Sequence, residues 1–200
     1  MFSLLYGLWE YIFRKVEFRI LILGVDKSGK TTLLERIKTI YTEAEGLSPD
    51  KILPTVGLNI GRVEACNAKL VFWDLGGQAG LRSIWEKYYA EAHAILYVVD
   101  ASEESRFEEA KQAFHRAISS QDLDEAPVVV IANKQDHTQV AELAVVEKAL
   151  GTQKANRPTR PCRTQKVSAT NGDGVEDAVS WLVDAMKRSR RTHLLAQQIQ

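Results

Sequence analysis

The stretch Gly24-Val25-Asp26-Lys27-Ser28-Gly29-Lys30-Thr31-Thr32 carries residue types that bind phosphate, at the spacing G-x-x-x-x-G-K-[ST]. Gly24 and Gly29 permit backbone angles and close approaches that a Cβ would obstruct. The N–H groups of Asp26, Lys27 and Ser28, with a helix N-terminus behind them, make an anion cradle. The Lys30 ammonium can reach β- and γ-phosphates, and the Thr31 hydroxyl can ligate Mg²⁺. Thr32 lies close enough to reach an α-phosphate.

Two later stretches extend this chemistry. Asp74-Leu75-Gly76-Gly77-Gln78 follows an apolar run. An aspartate there can hold the water shell of Mg²⁺. Gly77 can offer its N–H to a γ-phosphate, and Gln78 can orient an attacking water. Asn133-Lys134-Gln135-Asp136 lies about a hundred residues beyond the first motif. The Asp136 carboxylate has two acceptor oxygens, and guanine presents two adjacent donors, its ring N–H and its amino group. Adenine has no such pair. The Lys134 stem can lie over the base, and Asn133 can bridge base edge and loop. Ser168-Ala169-Thr170 can add a backbone N–H for the guanine oxygen.

These motifs need strands and helices to hold them. Apolar runs at 18–23, 94–99 and 127–132 and mixed runs at 58–65, 69–74 and 164–167 predict six strands. Helical patterns follow the phosphate loop and cover 81–91, 104–118, 141–150 and 175–188. Residues 41–54 and 151–161 read as loops, the second basic and proline-bearing. Apolar strands alternating with helices predict an α/β fold: a doubly wound, mostly parallel six-stranded sheet with helices on both faces. Ligands in such sheets bind at the strands' C-terminal ends, where the motifs lie.

The 200 residues suit a single domain at 17–188, between an N-terminal amphipathic helix at 1–16 and a polar, basic tail at 189–200. A net charge of +0 gives no argument for a nucleic-acid partner. No apolar run reaches the roughly 20 residues of a membrane span. Cys66 and Cys162 lack metal-ligand spacing and read as reduced thiols of a cytoplasmic protein. His93, His115, His137 and His193 do not cluster and read as surface or satisfied residues. Lys187, Arg188, Arg190 and Arg191 read as a solvated helix end, with anionic lipid as the alternative. Phe2, Leu5, Trp9, Ile12, Phe13 and Val16 recur at helical spacing. That face either packs on the domain or leaves it for a membrane or receptor. Met1-Phe2 offers no glycine for N-myristoylation.

In their order and approximate spacing, GVDKSGKT, PTVG, WDLGGQ, NKQD and SAT resemble the small GTPases. Trp73 to Gln78 and Pro54-Thr55-Val56-Gly57 resemble the ADP-ribosylation factor (Arf) family in particular, over about residues 18–186. The long loop before Thr55, the Met-Phe start and the basic tail are similar to the Arf-related branch of the trans-Golgi. The resemblance implies a monomeric, Mg²⁺-dependent switch that binds GTP or GDP and meets Golgi membranes peripherally. Its partners would be an exchange factor, a GTPase-activating protein, Golgi effectors and a membrane-embedded receptor for the N-terminus. Thr55 would join the metal only with the γ-phosphate present, and residues 58–69 would form a sliding hairpin that ejects the N-terminal helix. Leu58, Trp73 and Tyr88 fall where the family places an apolar effector patch, although Phe is often found at the position of Leu58. Lys27 departs from the usual small residue and is expected to point to solvent. No arginine occurs in 47–55, so intrinsic hydrolysis should be slow until a partner supplies one. The competing functions are a GTP-binding scaffold with negligible hydrolysis and a phosphate-loop kinase; NKQD and the lack of an obvious lid argue against the kinase.

Overall fold

The computed structural model describes residues 15–42, 46–47 and 51–197. The expected helix at 1–16 therefore lies outside the described residues, apart from its last two. In chain order the elements begin with β1 (Glu17–Leu23), α1 (Lys30–Tyr41), β2 (Leu58–Ala65) and β3 (Ala68–Leu75). A 3₁₀ helix (Ala79–Trp85) then leads into α2 (Glu86–Tyr89) and β4 (Ala94–Asp100). A second 3₁₀ turn (Glu104–Arg106) precedes α3 (Phe107–Ile118), and a third (Gln121–Leu123) precedes β5 (Val128–Asn133). The rest are α4 (Leu143–Leu150), α5 (Thr152–Ala155), β6 (Cys162–Lys166), α6 (Val175–Arg188) and α7 (Arg190–Gln197).

The six strands form one sheet in the order β2-β3-β1-β4-β5-β6. Only β2 runs antiparallel, in register with β3 from Leu58↔Leu75 to Ala65↔Ala68. Strand side chains alternate between faces, so each central strand feeds two cores. Leu21, Leu23, Trp73, Tyr97 and Val130 pack under α3 and α4. Ile20, Ile22, Phe72, Leu96 and Ile131 pack under α1 and α6. Each fully buried side chain of this kind contributes roughly 1.5–3 kcal/mol. With β3 and β4 on opposite sides of β1, the loop after β1 opens at a topological switch point.

Four local expectations change. The helix expected at 81–91 is a 3₁₀ helix followed by the short α2. There the Arg82 Nε–H donates to the Gly77 carbonyl at 2.8 Å, and the Trp85 indole N–H donates to the Gly76 carbonyl at 2.9 Å. These backward bonds favour a tighter winding. The helix expected from residue 141 starts at Leu143, and the Ala141 N–H ahead of it donates to the Ala101 carbonyl at 2.8 Å. The expected loop 151–161 contains α5, begun at Gly151 with φ 67°. The basic run is only partly solvated: Lys187, Arg188 and Arg190 are exposed, but Arg191 is buried.

Arg191 holds α7 to the sheet's opposite end from the phosphate loop. Its Nε–H donates to the Ala92 carbonyl at 2.6 Å, and its Nη groups donate to the carbonyls of Tyr89 at 2.7 Å and Asp124 at 3.2 Å. The Ser189 hydroxyl donates to the Glu125 carbonyl at 3.1 Å. Among the described residues no helix is long and apolar enough to cross a membrane.

Candidate functional site

The phosphate loop joins β1 to α1. Gly24 has φ 143°, and a Cβ there would collide with the Val98 carbonyl of β4. Lys27 has φ 61°, and its exposed side chain is at the cavity rim. The Lys30 ammonium is buried and donates to the Val25 carbonyl at 2.9 Å. Burial pulls its pKa down to about 8, against the opposing charges of Asp74 and Asp26. A cavity of about 340 Å³ opens over the loop, with Lys30, Thr31, Thr32, Thr55, Gln78 and Lys134 among its walls.

Three oxygen-bearing side chains converge beside it. The hydroxyls of Thr31 and Thr55 lie 2.8 Å apart, and both donate to Asp74 Oδ2, at 2.7 and 3.3 Å. Asp74 is fully buried, and its Oδ1 has no hydrogen-bond partner among the described residues. Burial raises its carboxyl pKa, though the Thr31 bond and the Lys30 charge oppose the rise. Two hydroxyls and one carboxylate with a spare oxygen are hard donors, the set that Mg²⁺ prefers over softer metals. The residues fit that ion.

Gly77 turns the chain over the loop. Its carbonyl accepts from the Asp26 N–H at 3.1 Å, and a Cβ here would press on the Gly24 carbonyl at 2.5 Å. Gly76 N–H donates to the Gly57 carbonyl at 3.0 Å, which ties this turn to the strand-entry loop carrying Thr55. Gln78 follows with its side chain exposed at the cavity wall.

The Asn133–Asp136 and Ser168–Thr170 stretches assemble at the ends of β5 and β6. Asn133 is buried; its Nδ2–H donates to the Ser28 carbonyl at 2.9 Å, and its Oδ1 accepts from the Ala169 N–H at 3.0 Å. One amide thus joins three sequence-distant motifs. The Ser168 hydroxyl donates to Asp136 Oδ1 at 2.7 Å and accepts from the Asn171 N–H at 3.0 Å. The Lys134 ammonium meets Asp100 Oδ2 at 2.5 Å. Burial raises the Asp100 carboxyl, but the bonds from Lys134 and Ser102 outweigh it and hold it below the ordinary value. Thr170 enters only through its carbonyl, which accepts from Arg36; the Ala169 carbonyl accepts from Arg36 Nε–H at 3.2 Å.

Sequence reading did not single out Arg36, Arg82, Asp100, Arg106 or Glu109. Asp100 ends a buried strand, at the edge where doubly wound sheets bind ligands, and that position was the available signal. Arg106, Arg82 and Glu109 sit in polar stretches with no motif to mark them.

The ADP-ribosylation factor family model matches residues 5–186. The chain is 45% identical over 190 residues to ADP-ribosylation factor-related protein 1 of Rattus norvegicus, covering 94% of each chain. The Homo sapiens protein of that name gives the same identity and coverage. ADP-ribosylation factor-like protein 3 of Saccharomyces cerevisiae is 34% identical, covering 96% of this chain and 97% of its own. Among solved structures, the Arl6 BBS3 small GTPase of Trypanosoma brucei, with bound nucleotide analogue GppNp, matches with a TM-score of 0.75 and 25% identity. That match covers 87% of this chain and 99% of the other. The motifs, the sheet order and these likenesses agree, and the chain belongs to the ADP-ribosylation factor family of small GTPases.

Proposed function

We propose that the protein is a GTP-operated switch that hydrolyses GTP to GDP and phosphate and recruits effectors to Golgi membranes. The observation that carries this reading is the meeting of Thr55 with Thr31 and Asp74. Thr55 comes from a long loop, so its seat on the metal donors can depend on the nucleotide held beneath it. Lys30 and the loop N–H groups take the phosphates, while Asn133, Lys134, Asp136 and the Ser168-Ala169-Thr170 turn select guanine. Mg²⁺, held by Thr31 and Thr55 with Asp74 behind them, would offset phosphate charge. Gln78 orients a water whose oxygen attacks the γ-phosphorus; the bond to the β–γ bridging oxygen breaks, and GDP leaves. With no arginine in 47–55, an activating protein supplies roughly 10³–10⁵ in rate.

The Golgi role rests on likeness to Arf-related relatives and on the apolar face Phe2, Leu5, Trp9, Ile12 and Phe13. Chain entry and hairpin are linked: the Lys15 ammonium meets Glu64 at 2.5 Å. Lys187 Nζ on α6 donates to the Cys66 carbonyl at the hairpin turn, at 2.9 Å. A hairpin held at both points can couple nucleotide state to residues 1–16. Exposed Ile60, with half-buried Leu58 and Tyr88, would meet effectors; Trp73 is buried beneath them, its ring edge-on to Tyr88 at 5.4 Å.

The test has two arms. Nucleotide released from purified protein should be guanine without adenine, and single-turnover hydrolysis should accelerate with Golgi extract. No acceleration would favour the scaffold reading instead. In flotation with Golgi membranes, GTP-locked protein should float, and protein lacking residues 1–16 or loaded with GDP should not. Equal flotation of all three would remove the coupling.

A further inference from the structure

Five residues from three elements close a ring beside the γ-phosphate end of the site. The Gly77 carbonyl accepts from Arg82 Nε–H at 2.8 Å and from the Asp26 N–H at 3.1 Å. Arg82 Nη2 pairs with Glu109 Oε1 on the first turn of α3. The other Glu109 oxygen accepts from Arg106, through Nη2 at 2.9 Å and Nε at 3.2 Å. Arg106 returns to the phosphate loop, donating to Asp26 Oδ1 at 2.6 Å and to the Asp26 carbonyl at 2.7 Å. The two arginines and two carboxylates balance in charge.

We propose that Arg82, Glu109 and Arg106 are positioning residues, a relay that holds the Gly77–Gln78 peptide in register with the phosphate loop and so sets the efficiency of hydrolysis. This deepens the hydrolysis reading above and rests on it. The physical argument starts at Gly77. A peptide unit is planar, so fixing the Gly77 carbonyl also fixes the Gln78 nitrogen and the origin of the Gln78 side chain. Gln78 itself is exposed and cannot be located by packing. The relay supplies what packing does not. Isolated surface pairs contribute little, but several charges joined in a network are the exception. Here Arg106 presents a fork to Glu109 and a second pair of donors to Asp26. Burial lifts the Asp26 carboxyl pKa, but the Arg106 bond and charge, a backbone bond and the Arg82 charge together outweigh it and keep it below the ordinary value. Glu109 is held low chiefly by its bond to Arg82.

The relay spans the phosphate loop, the turn after β3 and the start of α3. Loss of Arg82 leaves the Gly77 carbonyl with the Asp26 N–H as its other donor, so the Gly77–Gln78 peptide loosens without the loss of any phosphate ligand. Misplacement of a positioned group by about 1 Å can cost about 10²-fold in rate. The signature is therefore slower hydrolysis at unchanged nucleotide affinity.

The experiment uses full-length protein loaded with GTP and Mg²⁺, as wild type, Arg82→Gln, Arg82→Lys and Glu109→Gln. Three quantities are read: single-turnover hydrolysis with and without Golgi extract, Kd for GTP and GDP, and amide hydrogen exchange across residues 76–82. Arg82→Gln should slow hydrolysis roughly 10- to 100-fold in both conditions, with Kd within about threefold. Exchange at 76–82 should rise. Arg82→Lys keeps the charge but has one nitrogen in place of the two that reach the Gly77 carbonyl and Glu109, so it should recover only part of the rate. Glu109→Gln should move the same way and reports on the relay if Arg82→Gln fails to fold. Hydrolysis within twofold of wild type in Arg82→Gln overturns the proposal, as does a fall in affinity that matches the fall in rate. If wild type itself does not hydrolyse GTP, the hydrolysis reading fails, and with it the catalytic consequence of the relay. Unchanged exchange at 76–82 overturns the positioning itself.

Discussion

Replacing Asp136 by Asn should convert a guanine site into a xanthine site. In the structure Asp136 Oδ1 already accepts from the Ser168 hydroxyl at 2.7 Å. A carboxylate has about four lone-pair sites, so both oxygens remain able to accept from guanine's ring N–H and amino group. Each such charge-assisted bond contributes about 1.5–3 kcal/mol. The Asn amide keeps one acceptor but places an NH₂ against guanine's amino group. Losing the bond to the amino group weakens GTP binding by about 1.5–3 kcal/mol, roughly 10- to 10²-fold. Xanthine has an oxygen where guanine has the amino group, so the amide donor finds a partner there. The loop can absorb the change, because the Ser168 oxygen, which accepts from the Asn171 N–H, has a second lone pair for the amide. Competition binding of GTP, GDP, XTP and XDP with Mg²⁺ present measures the exchange. Asp136→Asn binding GTP as tightly as wild type would refute the assignment of this loop to the base.

Thr31→Asn removes a metal donor that also bonds Asp74, so Mg²⁺-dependent GTP affinity should fall at least roughly tenfold, read by the same competition assay. Gln78→Leu should keep GTP bound while partner-stimulated hydrolysis drops at least roughly tenfold; an unchanged rate would reject the role given to Gln78. Arg191→Ala strips two buried carbonyls and one half-buried carbonyl of a charged donor and should cost about 2–4 kcal/mol, a fall of roughly 5–15 °C in Tm at fixed GDP and Mg²⁺. Burial, aided by Arg19 and Arg191, holds buried His93 neutral with a pKa down at about 4. The unfolded chain binds that proton first, so stability is lost as pH falls from about 6.5 towards 4. Denaturant unfolding at pH 7 and pH 5 should show wild type losing about 1–2 kcal/mol more than His93→Gln.

Much of the site was legible in the sequence because its chemistry is contiguous. Gly24 to Thr32, Asp74 to Gln78 and Asn133 to Asp136 each sit at the end of an apolar strand, and Ser168 to Thr170 follow the short polar β6. A doubly wound sheet brings all such ends to one edge, so strand pattern and motif order sufficed to place them together. The buried strands were legible for the same reason, since continuous apolar runs announce a sheet covered on both faces. What the tertiary structure decided depends on pairings that no local pattern encodes. Asn133 joins Ser28 to Ala169 across 105 and 36 residues. Arg106 reaches Asp26 across 80 residues, and nothing in Ser105-Arg106-Phe107 marks that arginine apart from a surface one. The 3₁₀ winding before α2 follows from two backward side-chain bonds to Gly76 and Gly77, which override a helical pattern. Arg191 makes the same point at the far end. A basic run reads as solvated because charge is costly to bury. Arg191 goes inside because folding gathers the carbonyls of Tyr89, Ala92 and Asp124 around it, and only the packed chain brings them there.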